Sequence, residues 1–409
     1  MHMKTFGRRL ALLSASAITF ALASGAVQAQ QTVKFGALMP MTGALAQFGP
    51  TSLNGINLAI KQINAQGGTS LGRIEVIVSD TQTNPQQAVQ AAKQLVSVNK
   101  VSVLVGPLAS GETIPVGTSV AAVDNVPLVT GSATSPALTS LADNDFVFRT
   151  TPHDAVQGIV LGDLVKEQGL KKVAVMFRND DYGKGLSAAF EKRFKEIGGE
   201  ITSMIAFEEK QPSYRGELQR ASQGGPEALV HIAFPGEGIP QLKEALEGGF
   251  FKKFVFTDGM KSDDVVKAIG GQFLNGMVGT APEAAASDSS KAFKDAFQRE
   301  YNREPRDPFV DTFYDAAFVL ALAIEKAKST DGKAIRDALR FVASAPGEKI
   351  LPGEWEKAKK LLAEGKDIDY VGAAGSQDFD KAGDVPGSFG IWRVEAGAIK
   401  TVRIVNQSN

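Results

Sequence analysis

The sequence predicts an α/β protein built as two doubly wound parallel-sheet lobes joined by a hinge of about three crossing segments. Three observations lead there: short continuous apolar runs alternate with amphipathic helical stretches, the pattern starts again near Phe148, and the chain is long. The runs Val33 to Met39, Val101 to Val105 and Val126 to Val129 are almost wholly apolar, as strands covered on both faces are, and their alternation with helices argues for parallel pairing. Single cores stop growing at about 250–300 residues, so 409 residues divide into lobes.

In chain order, the strand from Val33 runs into the turn-rich Pro40 to Pro50 and then a helix with Ile56, Ala59, Ile60 and Ile63 on one face, ended by Gly67-Gly68. Ile74 to Val78 is a second strand, and Pro85 opens a helix whose buried stripe is Ala88, Ala91, Ala92 and Leu95. From Phe148 to Pro152 the scheme resumes with strands at Val173 to Phe177, Ile201 to Phe207, Ala228 to Phe234 and Phe254 to Thr257. Matching strands end in matching loops: Met39 to Pro50 with Asn179 to Lys184, Gly106 to Ser110 with Pro235 to Gly238, and Gly131 to Thr134 with Asp258 to Met260. Pro282 to Ser290 reads as a crossing segment, followed by helices at Ser290 to Tyr301 and Asp311 to Lys328; the second keeps Phe313, Ala316, Ala317, Leu320, Ala323, Ile324 and Ala327 at helical spacing. Beyond Pro346 come another amphipathic stretch, the Gly-rich Gly372 to Gly375, and a hairpin of Phe389 to Val394 with Ile399 to Val405. The expected division is 30–149 plus 282–345 for the first lobe and 150–281 plus 346–409 for the second, with crossings near Arg149, near Ala281 and after Ala345.

Lys4, Arg8 and Arg9 precede an apolar run from Leu10 to Ala26 and the small-residue Val27-Gln28-Ala29, the layout of an export signal. Ser14, Ser16, Thr19, Ser24 and Gly25 interrupt the run, which falls short of the roughly 20 apolar residues of a membrane span. Cleavage after Ala29 and a periplasmic location are expected. Lys and Arg number 44 against 45 Asp and Glu, interspersed, with no basic patch to support nucleic-acid binding. The absence of cysteine excludes disulfides and thiolate chemistry. A monomer is expected.

In open parallel sheets ligands sit beyond the carboxyl ends of the strands, where helix N-termini point positive dipole ends at the site. Ser110 is placed there to offer a hydroxyl and backbone N–H groups to an anion, and it fits a helix cap equally well. Ser132 and Thr134 follow the next strand and read either as further donors or as a turn before Pro136. Asp258, ahead of Gly259, sets a carboxylate at the cleft end of the second lobe, or simply turns the chain. Phe48, Tyr182 and Phe234 lie in corresponding loops and are candidate walls. Catalytic signals are sparse. Past the export signal only His153 and His231 remain, no strand-to-helix nucleophile elbow or phosphate loop is found, and the pairs Asp180-Asp181 and Asp263-Asp264 read as solvated caps. Neither a metal nor a cofactor is expected.

A set of motifs in order along nearly the whole chain resembles periplasmic binding proteins of the leucine/isoleucine/valine type. They are F-G-A-L-M-P-M-T-G from Phe35, A-Q-F-G from Ala46, G-I-N-L-A-I-K-Q-I-N-A-Q-G-G from Gly55, V-G-P-L-A-S from Val105, S-A-T-S-P-A-L-T from Ser132 and D-D-Y-G-K-G from Asp180. The resemblance implies a ligand-delivering partner of an ABC importer's permease subunits, with no enzymatic activity. It also implies that Ser110 and Thr134 bind a ligand carboxylate, that Ser132 gives a backbone carbonyl to an ammonium, and that Asp258 completes the ammonium site. Two family tyrosines fall on Phe48 and Phe234, which removes hydroxyls from the pocket, and the relatives' short disulfide falls near Thr83 and at Ala109. An amphipathic amino acid, branched-chain above all, is the ligand the resemblance favours. The alternatives are an aromatic or short-chain carboxylate stacked between Phe48 and Phe234, and a sensor that reports to a membrane receptor.

Overall fold

The computed structural model describes His2 and residues 32–407; the expected export signal beyond His2, with its cleavage point, lies outside the described residues. Strands β1 (Thr32–Met39), β2 (Arg73–Asp80), β3 (Val103–Val105), β4 (Leu128–Thr130) and β5 (Val147–Arg149) form one parallel sheet in the order β2-β1-β3-β4-β5. Strands β6 (Lys172–Arg178), β7 (Glu200–Phe207), β8 (Ala228–Ile232), β9 (Phe254–Phe256) and β10 (Val278–Pro282) repeat that order in a second sheet, as β7-β6-β8-β9-β10. The duplication legible in the loops is thus a duplication of topology. In each sheet the chain reverses direction of growth beside its first strand, between β1 and β3 and between β6 and β8. That is the switch point where such sheets open a crevice.

The strands form where they do because their side chains are covered on both faces. Phe35, Ala37, Val103, Val105, Val173, Val175, Val230 and Val255 are all buried, so uninterrupted apolar runs satisfy both layers. Register follows, with Val33 opposite Ile74 and Val173 opposite Ala228. The flanking helices start on local signals. Asn84 accepts from Gln87 N at 3.0 Å ahead of Pro85, and Asp180 accepts from Gly183 N at 2.9 Å.

Along β10 the second sheet gains β14 (Gly387–Glu395), paired antiparallel with Thr280 opposite Ile391, and then β15 (Ala398–Gln407). The segment 346–376 departs from the expected division. Its short strands β11 (Glu348–Ile350), β12 (Ile368–Gly372) and β13 (Gly375–Ser376) make a separate sheet that packs on first-lobe elements. Trp355 is fully buried and donates Nε1 to the Gly68 carbonyl at 3.1 Å, and Tyr370 donates its hydroxyl to Asp315 at 2.7 Å. The physical reason is the helix Val310–Ala327, buried nearly all round, which needs cover on the side the first sheet does not reach. The third crossing therefore falls between Asp384 and Gly387, where Gly387 lies against the Pro152 ring of the first crossing. Among the described residues no helix is long and apolar enough to cross a membrane.

Candidate functional site

The loops at the carboxyl ends of β1, β3 and β4 face those after β6, β8 and β9. Between them a cavity of about 20 Å³ is lined by Phe48, Ser110, Ser132, Tyr182, Phe234 and Asp258, with Leu45, Leu108, Ala109, Gly259 and Phe309. Six of the seven residues singled out from the sequence meet there. The seventh, Thr134, lies outside that lining, buried, with its side chain next to the Asp154 carboxyl.

On the first-lobe side, Ser110 opens the helix Ser110–Val116 and its Oγ accepts from Ser135 N at 3.1 Å. The Ser132 hydroxyl is committed to the Leu108 carbonyl at 2.8 Å and its N–H to Thr130 Oγ1 at 3.3 Å. Two neighbours fix the preceding loop: Asp80 accepts from Met41 N and Thr42 N, and Thr83 Oγ1 accepts from Leu45 N. Leu45 and Phe48 therefore enter the cavity from a fixed backbone.

On the second-lobe side, Tyr182 stacks on Phe234 with centroids 5.2 Å apart, and the Arg178 guanidinium covers the Phe234 ring at 4.8 Å. Asp258 Oδ1 accepts from Gln157 Nε2 at 2.8 Å and from the Tyr182 hydroxyl at 3.0 Å. Burial raises the Asp258 carboxyl, while those two donors pull it back down. A second carboxyl lies in the same buried region. Asp154, at the first turn of the helix Asp154–Glu167, is fully buried, with the Thr134 side chain next to its carboxyl. Burial, and after it the charge of Asp258, hold Asp154 well above the usual carboxylate range. Burial and the charge of Asp258 likewise push the Tyr182 hydroxyl up, so it serves as a donor. The result is a pocket with the Ser110 hydroxyl and a helix start on one lobe, apolar walls, and the buried Asp258 carboxyl on the other side, with Asp154 outside the lining.

Asp154, Gln157 and Phe309 escaped the sequence reading. Asp154 carried only the signal of an acidic residue at a helix start, and Phe309 precedes the helix Val310–Ala327 with no local mark except Pro308.

A larger cavity of about 720 Å³ adjoins the site across Phe309. Several of its charges are paired among themselves, Lys261 with Glu283 at 2.7 Å and Arg306 with Glu304 at 3.1 Å. The convergent strand-end residues belong to the smaller one. The string Gly68 to Gly72 spells G-x-S-x-G, but it leads from a helix into β2, the reverse of a nucleophile elbow, and Ser70 is exposed. His231 is buried against Gln241 at 2.5 Å, with its pKa pushed down to about 4 by burial. Among the described residues no cluster of His, Cys, Asp and Glu suits a metal ion.

The periplasmic binding protein family model matches residues 32–354. A leucine-, isoleucine-, valine-, threonine- and alanine-binding protein of Pseudomonas aeruginosa is 30% identical over 340 residues, 83% of this chain and 90% of its own. A leucine-binding protein of Thermotoga maritima superposes with a TM-score of 0.78 at 25% identity, over 91% of this chain and 99% of its own. A branched-chain amino acid transporter substrate-binding protein of Streptococcus pneumoniae, solved with isoleucine, gives 0.77 at 25% identity, over 92% and 100%.

Proposed function

Since this chain belongs to the periplasmic binding protein family, we propose that it is the solute-binding protein of an ABC importer, and that it holds an aliphatic amino acid in the cleft between its lobes. One observation supports this reading above the others: the Ser110 end of the first lobe faces the buried Asp258 carboxyl of the second across an apolar-walled pocket. A zwitterion matches that polarity. Its carboxylate meets Ser110 and main-chain N–H groups at a helix start, its ammonium meets Asp258 with Asp154 nearby, and its side chain lies among Leu45, Phe48, Leu108, Phe234 and Phe309. Ser132 contributes a carbonyl to the ammonium, and Thr134 a hydroxyl to the carboxylate.

The pocket in this conformation has room for about one water molecule. An amino acid therefore enters only when the lobes part, and the walls reseat around it. Export through a signal cleaved after Ala29, work in the periplasm as a monomer, hand-over to permease subunits and release of the ligand unchanged complete the proposal. Aromatic acids are the second reading, favoured by the rings of Phe48, Tyr182, Phe234 and Phe309; Asp258 opposes it, since a ligand without a cation leaves that carboxyl unpaired.

A thermal-shift screen over the proteinogenic amino acids and benzoate derivatives decides between them, because ligand at 100 times its Kd stabilises the fold by about 2.7 kcal/mol. Stabilisation by leucine, isoleucine or valine is expected. Stabilisation by benzoates alone overturns the amino-acid reading, and uptake by reconstituted permease and ATPase that ignores the protein overturns the import reading.

A further inference from the structure

We propose that Arg149 is a positioning residue for ligand binding, one that ties two of the three crossing segments to the loop carrying Ser132 and Thr134 and so holds that loop in its binding shape. The proposal rests on the reading of the cleft given above. Arg149 ends β5 at the foot of the first crossing and is 1% exposed. Its Nε donates to Asp384 Oδ1 at 2.6 Å, at the foot of the third crossing. Nη1 donates to the carbonyls of Ser135 at 2.8 Å and Ala133 at 3.3 Å, the two residues that flank Thr134. Nη2 donates to Thr139 Oγ1 at 2.8 Å, and that hydroxyl donates to Asp384 Oδ2 at 2.7 Å. The backbone joins in as well, with Arg149 N donating to the Gly383 carbonyl at 3.0 Å.

The loop so held does two things at the cleft. Ser135 N bonds Ser110 Oγ, and Ser135 Oγ crosses to the second lobe to bond the Asp181 carbonyl at 2.9 Å. One guanidinium thus shares a short loop with the candidate carboxylate-binding groups and with a lobe-to-lobe contact. Its planar fork reaches two carbonyls, a hydroxyl and a carboxylate at once, which a lysine ammonium on the same strand cannot do. A buried ion pair is weak evidence of stability, since apolar replacements often fold as well. Shape at the loop is the use that this geometry supports.

The test compares Thr139→Ala, Asp384→Asn and Arg149→Lys with Asp315→Asn, a change in a separate buried polar cluster of the first lobe. Three quantities are read: amide hydrogen exchange of residues 132–140 without added ligand, calorimetric titration with L-leucine, L-isoleucine, L-valine and L-alanine, and Tm. Thr139→Ala and Asp384→Asn should speed loop exchange about tenfold and weaken amino-acid binding about fivefold or more. Asp315→Asn should lower Tm at least as far while leaving both within about twofold. Arg149→Lys should keep a Tm no lower than that of Asp315→Asn and still lose affinity; if it fails to fold, the two milder variants decide. Loop exchange within twofold of wild type in Thr139→Ala and Asp384→Asn, or affinity losses no larger than in Asp315→Asn, would overturn the proposal. If wild type binds none of the four amino acids, the ligand reading fails separately and loop exchange alone decides.

Discussion

Asp258 shows how much one carboxylate depends on its surroundings. Gln157 and Tyr182 both donate to Oδ1, which leaves Oδ2 for the pocket that Asp258 lines. Removing the charge from a desolvated ion pair costs about 2–5 kcal/mol, so Asp258→Asn should weaken an amino-acid ligand by at least about thirtyfold and leave the fold intact. Calorimetry showing less than about a twofold change would reduce Asp258 to a turn residue. An Asp-Gly after an apolar run marked this position in the sequence. Nothing marked Gln157, whose amide reaches Asp258 from a helix 101 positions away.

The helix Ser110–Val116 carries a second ionisable group close to the ligand loop. Glu112 Oε2 accepts from Ala109 N at 3.2 Å, and the Thr81 hydroxyl and the Asn84 main chain lie beside the same buried carboxyl. Burial raises this carboxyl to about 7, against the bonds it accepts and the attraction of Arg178. It shares a cavity of about 150 Å³ with Arg178, Asp180, Glu208 and Glu209 of the second lobe, and Glu237 faces the same guanidinium at 2.6 Å. Since the folded state raises the pKa from 4.5 to about 7, the folded form binds the extra proton. The stabilisation is full below the unfolded value and is lost as pH rises through about 7. Buried His231 titrates with the opposite sign over part of that range, so the difference between proteins is the useful measure. Wild type should lose stability relative to Glu112→Gln as pH rises from 4.5 to 7 in denaturant unfolding. Parallel curves would show that Glu112 keeps an ordinary pKa. Helices and strands with a regular apolar stripe were legible, down to Ala88, Ala91, Ala92 and Leu95, all buried. The strand Glu348–Ile350 was not, because two of its three residues are charged and its pairing with Ile368 to Tyr370 is distant in sequence. The helix Gly332–Ala343 went unassigned although Ile335, Ala338, Leu339 and Val342 face inward, a stripe the pattern does contain.

Across the cleft, the lobes meet through Gly236 N on the Ala44 carbonyl at 3.1 Å, Ser262 Oγ on Gln47 Oε1 at 2.8 Å and Ser135 Oγ on the Asp181 carbonyl. The opening that ligand entry requires under the proposed function breaks all three. Gly236 offers a direct handle on that motion. A Cβ there would lie 2.7 Å from the Ala44 Cα, closer than packed atoms allow, while nothing in its own lobe comes as near. Gly236→Val should therefore hold the lobes apart, weaken ligand binding about tenfold or more and change the scattering radius at saturating ligand relative to wild type. Binding equal to wild type would mean that full closure at Ala44 contributes nothing to affinity.

Periodicity and turn chemistry depend on neighbours within a few residues, so the alternation of strands and helices, the repeated half and most strand-end loops of the cleft could be read along the chain. Fold class and the positions of Ser110, Ser132, Tyr182, Phe234 and Asp258 follow from that local order. The rest depends on residues that meet only after folding. Trp355 on Gly68 decides that 346–376 covers the first lobe, Arg149 on Asp384 decides where the third crossing begins, and Gln157 on Asp258 decides how that carboxyl is held at the pocket. Each is a contact across about a hundred residues or more, set by which surfaces need covering and which buried groups need partners. No spacing along the chain encodes it.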